Sequence, residues 1–236
     1  MKRIILTTAD VQYLDVLKVF LMSMRYHGND YPIRADLINY TDDQVGRLRN
    51  LYPNLEIARI VIPSEGELEQ RLLRLMHTRP PQMWKALNED WDQILSMDCD
   101  IIIRGRIDGM WDGVAPGVFK ILDKGHRQSD KGRLQGGVYI FGNSPGIREY
   151  YKELMDLIGA EFGFWDGQTA LYTLLKKYDK KITFVGLERK YNDDRKLKMD
   201  KKSLVWHCKH GRLGLKRFER EFEFYLKKAN EYYGNK

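Results

Sequence analysis

The sequence predicts an α/β chain, a parallel sheet with helices on both faces, and three observations carry that reading. Short β-rich apolar runs alternate with helically periodic segments through residue 104. Ile101-Ile102-Ile103 is a continuous β-branched run, as expected of a strand buried on both faces of a parallel sheet. No internal repeat and no low-complexity linker interrupts the 236 residues, so one continuous domain is expected.

Each element has its own signal. Arg3 to Thr8 is apolar and stops at polar residues, and Tyr13 to Tyr26 repeats Leu14, Leu17, Val19, Phe20 and Met24 at helical spacing. Ala35 to Tyr40 reads as a second strand, with Thr41-Asp42-Asp43 suited to a following helix N-cap, and Ile57 to Ile62 as a third, ended by Pro63. Helices are expected over Glu67 to Met76 and Gln82 to Met97, the second started by Pro80-Pro81. Beyond Arg104, glycine-rich loops reach Gly125. Then come a strand at Gly137 to Phe141, helices at Pro145 to Ile158 and Gln168 to Tyr178, strands at Ile182 to Val185 and Ser203 to Trp206, and a closing helix at Leu215 to Tyr233.

Composition excludes whole classes. Hydrophobic residues at 43% and charged residues at 31% rule out disorder and collagen, and two cysteines are too few for a disulfide framework or a zinc or iron-sulfur centre. The opening residues do not read as a signal peptide, and no apolar run approaches the roughly 20 residues of a membrane helix. A cytoplasmic protein is the expectation. The formal charge of +7 is unevenly spread: residues 176–202 carry +6, residues 203–236 carry +4, and residues 1–175 net −3. Phosphate-bearing ligands suit such a tail.

Four local features could carry chemistry. Asp98-Cys99-Asp100 precedes the isoleucine run, and in a strand i and i+2 share a side, so the two carboxylates can grip one hard divalent cation; a solvated turn is the bland alternative. Trp206-His207-Cys208-Lys209-His210-Gly211-Arg212 ends a strand in histidines and cations, suited to a transition metal and a diphosphate or merely to a basic surface loop. Trp165-Asp166-Gly167-Gln168 enters a helix, where Asp166 could serve as N-cap. Leu134-Gln135-Gly136-Gly137-Val138 pairs glycines before a strand, which permits close backbone approach to a ligand or a plain turn.

In this order, from Leu6 to about Arg212, these elements resemble glycosyltransferases of the GT-A fold, most closely the family-8 type that includes glycogenin and bacterial galactosyltransferases. The resemblance implies a single GT-A domain, an α/β Rossmann-like mixed sheet flanked by helices, with residues 1–104 as the nucleotide-binding half, 105–212 as the acceptor and donor-sugar half, and 213–236 as a basic C-terminal helix. It implies that Thr8, Ala9, Asp10 and Tyr13 hold the nucleotide base and that Asp98, Asp100 and His207 ligate Mn²⁺ or Mg²⁺. By the same resemblance Gln135, Gly136 and Gly137 line the donor sugar, Gln135 standing where Asn is usual. Lys85 joins the donor-binding set, Lys209 or Arg212 takes the diphosphate, and Asp166 and Gln168 sit near the reacting carbon. The implied reaction moves a sugar from a nucleotide-diphosphate sugar, UDP favoured, to a glycan, lipid-linked or protein-linked acceptor.

Two rivals use other features. A nucleotidyltransferase would open with a glycine-rich phosphate loop, which the residues after Leu6 lack. A nucleic-acid binder would use the basic segment 176–202 with Tyr178, Phe184 and Tyr191 interleaved, and a transferase acting on modified DNA would join both ideas. Phe218, Phe222 and Tyr225 on the last helix suit core packing, or peripheral docking on an anionic membrane.

Overall fold

A computed structural model describes residues 1–62, 79–124, 134–161, 166–193, 200–207 and 216–234. The expected helix at Glu67 to Met76 lies outside them. Contacts group the chain into two compact units. The first comprises Met1–Leu6, Ile62–Ser96 and Trp111–Leu187, and the second Thr7–Val61, Met97–Met110 and Glu188–Lys236.

The second unit opens with the end of strand β1 (Arg3–Asp10), a 3-10 turn at Val11–Tyr13 and helix α1 (Leu14–Tyr26). The Asp10 carboxylate accepts the Gln12 amide at 3.0 Å and so caps the turn. Strand β2 (Ile33–Ile38), helix α2 (Asp42–Leu51) and strand β3 (Leu55–Ile60) follow, and β2 and β3 pair in parallel. The expected cap before α2 is present as a reciprocal capping box between Thr41 and Gln44. The two strands start two residues earlier than their apolar runs suggest, because Ile33 and Leu55 already pair.

In the first unit helical residues 79–87 (α3) give way to strand β4 (Gln93–Met97). This corrects the expected helix over Gln82 to Met97. Trp84, Leu87, Trp91 and Leu95 mimic helical spacing, but Gln93 to Leu6-paired Ser96 form the parallel ladder with β1. Strand β5 (Ile101–Ile103) belongs to the second unit and is not a parallel core strand: it pairs antiparallel with β9 (Val205–His207) in a separate two-stranded ladder. Its three isoleucines are buried all the same.

Beyond residue 110 the glycine-rich stretch hides a strand, β6 (Val118–Asp123), missed because Gly113, Pro116 and Gly117 crowd its start. Strand β7 (Leu134–Gly142) pairs with it antiparallel, and β8 (Thr183–Gly186) pairs with it in parallel. Helices α4 (Pro145–Glu161) and α5 (Asp166–Lys177) lie between these strands in sequence. The first unit's core joins Ile4, Leu6, Ile94, Phe119, Phe141 and Tyr150. Phe119 stacks on both Tyr139 and Phe141 at 5.8 Å, an arrangement that adds to simple area burial. The closing helix α6 (Lys216–Gly234) packs on α1 and α2 in the second unit.

The seven strands run in the order β3-β2-β1-β4-β7-β6-β8. The chain thus builds outward from β1 on one side and resumes with β4 on its other side.

Candidate functional site

Leu6 pairs with Ser96, so Thr8–Asp10 and Asp98–Asp100 are carried to the same, carboxyl end of the two strands. Asp98 and Asp100 do not share a strand face as expected. They flank Cys99 in a bend between β4 and β5, and the bend aims both carboxylates at one point.

That point is His207. The β5–β9 ladder sets His207 opposite Ile101, next to Asp100, although the two are over a hundred residues apart in sequence. Arg104 clamps this ladder. Its guanidinium lies 3.8 Å over the Trp206 ring, donates to the carbonyls of Lys201 and Ser203, and pairs with Glu221 of α6 at 2.9 Å. Ile103 is also tied to α1, its amide donating to Ser23 Oγ at 3.0 Å.

His207 is 2% exposed. Its Nε2 lies 2.9 Å from Asp98 Oδ2 and 3.2 Å from Asp100 Oδ1, and the ligand-capable atoms of the three residues fall within 4.8 Å of one another. On the far side of the ring, Nδ1 faces Asn192 Oδ1 at 3.2 Å. All three of these oxygens are acceptors, whereas a neutral imidazole has one N–H. The ring therefore calls for a positive charge, either a second ring proton or a cation between the carboxylates and Nε2. An octahedral divalent cation with bonds of about 2.1 Å sets adjacent ligands about 3.0 Å apart, the spacing found here. Two carboxylates and an imidazole fit Mn²⁺ or Mg²⁺, and the imidazole favours the former.

Around this triad the second unit gathers other expected residues. Thr8, Ala9 and Asp10 are buried, and the Thr8 hydroxyl has no hydrogen-bond partner among the described residues. Tyr13 is half-buried. Burial first, then Cys99, Asp100 and Asp10, holds its hydroxyl above the usual tyrosine range. Tyr40 donates to the Asp10 carbonyl at 3.2 Å.

The remaining expected residues belong to the first unit or lie outside the described residues. Gln135 is buried on β7, where the β6 register steps from Ile121↔Tyr139 to Leu122↔Gln135, so Gly136, Gly137 and Val138 form a bulge inside the strand, not a turn before it. Lys85 is exposed on α3. Asp166 is the first residue of α5 and Gln168 the third. Lys209 and Arg212 are outside the described residues. In the basic segment, Lys177 pairs with Glu153 at 2.5 Å, Lys181 with Glu149, and Lys190 with Glu188 at 2.9 Å, so part of its charge is met locally.

Sequence reasoning missed Asn192 and Asp193, both 0% exposed. Asp193 accepts Ser203 Oγ at 2.6 Å and the Asp200 amide at 2.9 Å, and its backbone joins Val205 and His207. The signal was there as Tyr191-Asn192-Asp193, two short polar side chains beside an aromatic, but the surrounding lysines masked it.

No protein-family model and no curated protein matches the chain. Solved structures do. The glycosyltransferase GlyE of Streptococcus pneumoniae TIGR4 superposes with a TM-score of 0.68 at 13% identity, over 99% of this chain and 64% of GlyE. The galactosyltransferase LgtC, solved with donor and acceptor sugar analogues, superposes with a TM-score of 0.60 at 14% identity, over 94% of this chain and 95% of LgtC. The fold is that of the GT-A glycosyltransferases. This GT-A chain spans just under two thirds of GlyE's length and nearly all of LgtC's. Among the described residues no helix is long and apolar enough to cross a membrane.

Proposed function

We propose that this protein is a metal-dependent glycosyltransferase that moves a sugar from a nucleotide-diphosphate sugar, UDP favoured, to a hydroxyl of a glycan, lipid-linked or protein-linked acceptor. The Asp98–Asp100–His207 triad, in a chain with the GT-A fold, carries the reading. A family-8 relationship and a single GT-A domain belong to the same proposal.

In this reading Asp98, Asp100 and His207 hold Mn²⁺ or Mg²⁺. A cation held by these three residues would offset the charge that develops on the diphosphate as the glycosidic bond breaks. Asp10 and Tyr13 receive the base, and the unpartnered Thr8 hydroxyl supports a polar ligand beside them, since buried hydroxyls are rarely left unsatisfied. Lys209 or Arg212 meets the diphosphate, and Lys85, Ala9, Gln135, Gly136 and Gly137 complete the donor site. The acceptor oxygen bonds to the anomeric carbon, the carbon–oxygen bond to the diphosphate breaks, and the nucleoside diphosphate leaves with the electron pair. If configuration inverts, Asp166 takes the acceptor proton as general base; if it is retained, the departing diphosphate takes that proton and Asp166 or Gln168 supports the cationic centre.

Thermal-shift screening of UDP- and GDP-sugars with Mn²⁺ and with EDTA tests the proposal. Stabilisation by one nucleotide sugar only when the metal is present is the expected result. No response to any of them sinks the transferase reading.

A further inference from the structure

Building on the metal reading above, we infer that Asn192 is a positioning residue of the metal site: its side-chain oxygen keeps the proton of His207 on Nδ1, so that the Nε2 lone pair is presented between Asp98 and Asp100.

The contact is built, not incidental. Asn192 Oδ1 lies 3.2 Å from His207 Nδ1, and both residues are buried. The backbone that carries Asn192 is held on both sides. It follows the 3-10 turn Arg189–Tyr191, whose end is closed by the Asn192 amide donating to the Arg189 carbonyl at 3.0 Å. Next to it, the Asp193 amide donates to the Val205 carbonyl at 3.0 Å and the His207 amide donates to the Asp193 carbonyl at 3.1 Å. The ring on β9 and the amide that faces it thus sit on two segments joined by an isolated parallel bridge between Asp193 and Trp206, and the Asp193 carboxylate fixes the neighbouring loop through Ser203 and Asp200.

The chemistry of imidazole makes this contact matter. Which ring nitrogen carries the proton is set by the hydrogen bond the other one makes. With the proton on Nε2 the ring would donate to Asp98 and Asp100 and offer no lone pair to a cation. An acceptor at Nδ1 selects the opposite tautomer, and partners of this kind on a ligating histidine typically change metal affinity by 10–100-fold.

Mn²⁺ affinity, read from the electron paramagnetic resonance signal of free Mn²⁺, tests this on the full chain. Asn192→Leu removes the acceptor at similar volume and is expected to weaken Mn²⁺ binding by roughly 10–100-fold; Asn192→Asp keeps an acceptor oxygen and is expected to bind within about threefold of the parent. The ¹⁵N spectrum of the His207 ring in the Mg²⁺-loaded parent protein is expected to show the proton on Nδ1. A proton on Nε2 overturns the role of Asn192 even if both variants fail to fold. So does parent-like Mn²⁺ affinity in Asn192→Leu, or equal weakening in both variants, which marks a structural role only. His207→Ala separates the two levels. If it binds Mn²⁺ as the parent does, the metal reading fails and Asn192 loses its role with it; if it loses Mn²⁺ while Asn192→Leu does not, only the role of Asn192 fails.

Discussion

Asp98, Asp100 and His207 are polar groups brought together at a buried ring, an arrangement that costs stability unless a cation or protons offset it. Removing one carboxylate should therefore cost function far more than folding. Asp98→Ala or Asp100→Ala is expected to lower metal-dependent sugar transfer by on the order of 10²–10³-fold while thermal unfolding stays cooperative and near that of the parent. Full activity of either variant in EDTA would show that the carboxylates are not ligands. A second single-residue effect concerns His27, whose Nε2 lies 2.8 Å from the Tyr225 hydroxyl. Burial, and then the Arg104 charge, hold its ring below the ordinary histidine range. The folded chain thus refuses a proton that the unfolded chain accepts. Stability from this source is complete above the unfolded value of about 6.5 and falls as pH drops through it towards the lower folded value. His27→Gln, unfolded in urea at pH 7.5 and 5.5, is expected to lose less stability on acidification than the parent; an equal loss would place the acid sensitivity elsewhere.

At the scale of elements, close backbone approach does more than propensity. A Cβ on Gly142, at the end of β7, would stand 2.0 Å from the Ala115 carbonyl oxygen, and the clash is with backbone that already bonds Gly117 to the Gly142 carbonyl at 3.0 Å. Gly142→Ala should destabilise by about 1–3 kcal/mol, the range for overpacking, and lower Tm by roughly 2–12 °C in a chain of this size. An unchanged Tm would mean that the β6–β7 region opens at little cost. Strand β4 carries the main lesson about legibility at this scale. Its residues 93–97 alternate with Trp84, Leu87 and Trp91 in a way that satisfies helical periodicity, and a strand buried on both faces leaves no alternation to contradict it. By contrast the Thr41–Gln44 capping box was legible, because capping is a local hydrogen-bond pattern written in four adjacent residues.

For the molecule as a whole, the proposed binding of donor and metal to the folded chain alone would link ligand to stability. At a nucleotide sugar concentration 100 times Kd the linkage is about 2.7 kcal/mol, which is roughly 5–11 °C in Tm at 236 residues. The charge asymmetry also acts at this scale. The N-terminal three quarters, net −3, hold the acidic triad members, and the basic last quarter adds His207 and the loop proposed to meet phosphate. The proposed cation site thus draws ligands from both parts of the chain, and the proposed phosphate contacts come from the basic one.

The sequence by itself determined the alternating α/β frame, the carboxylate pair before the isoleucine run, and the histidine at the end of a late strand, because each is a pattern of neighbours. Only the tertiary structure decided that Asp98 and Asp100 converge through a bend and not across a strand face, that β5 pairs with β9 and so delivers His207 to them, and that Asn192 stands behind the ring. Those facts depend on which distant segments hydrogen-bond to each other. Register between strands a hundred residues apart is set by burial and ladder geometry, and no local spacing records it.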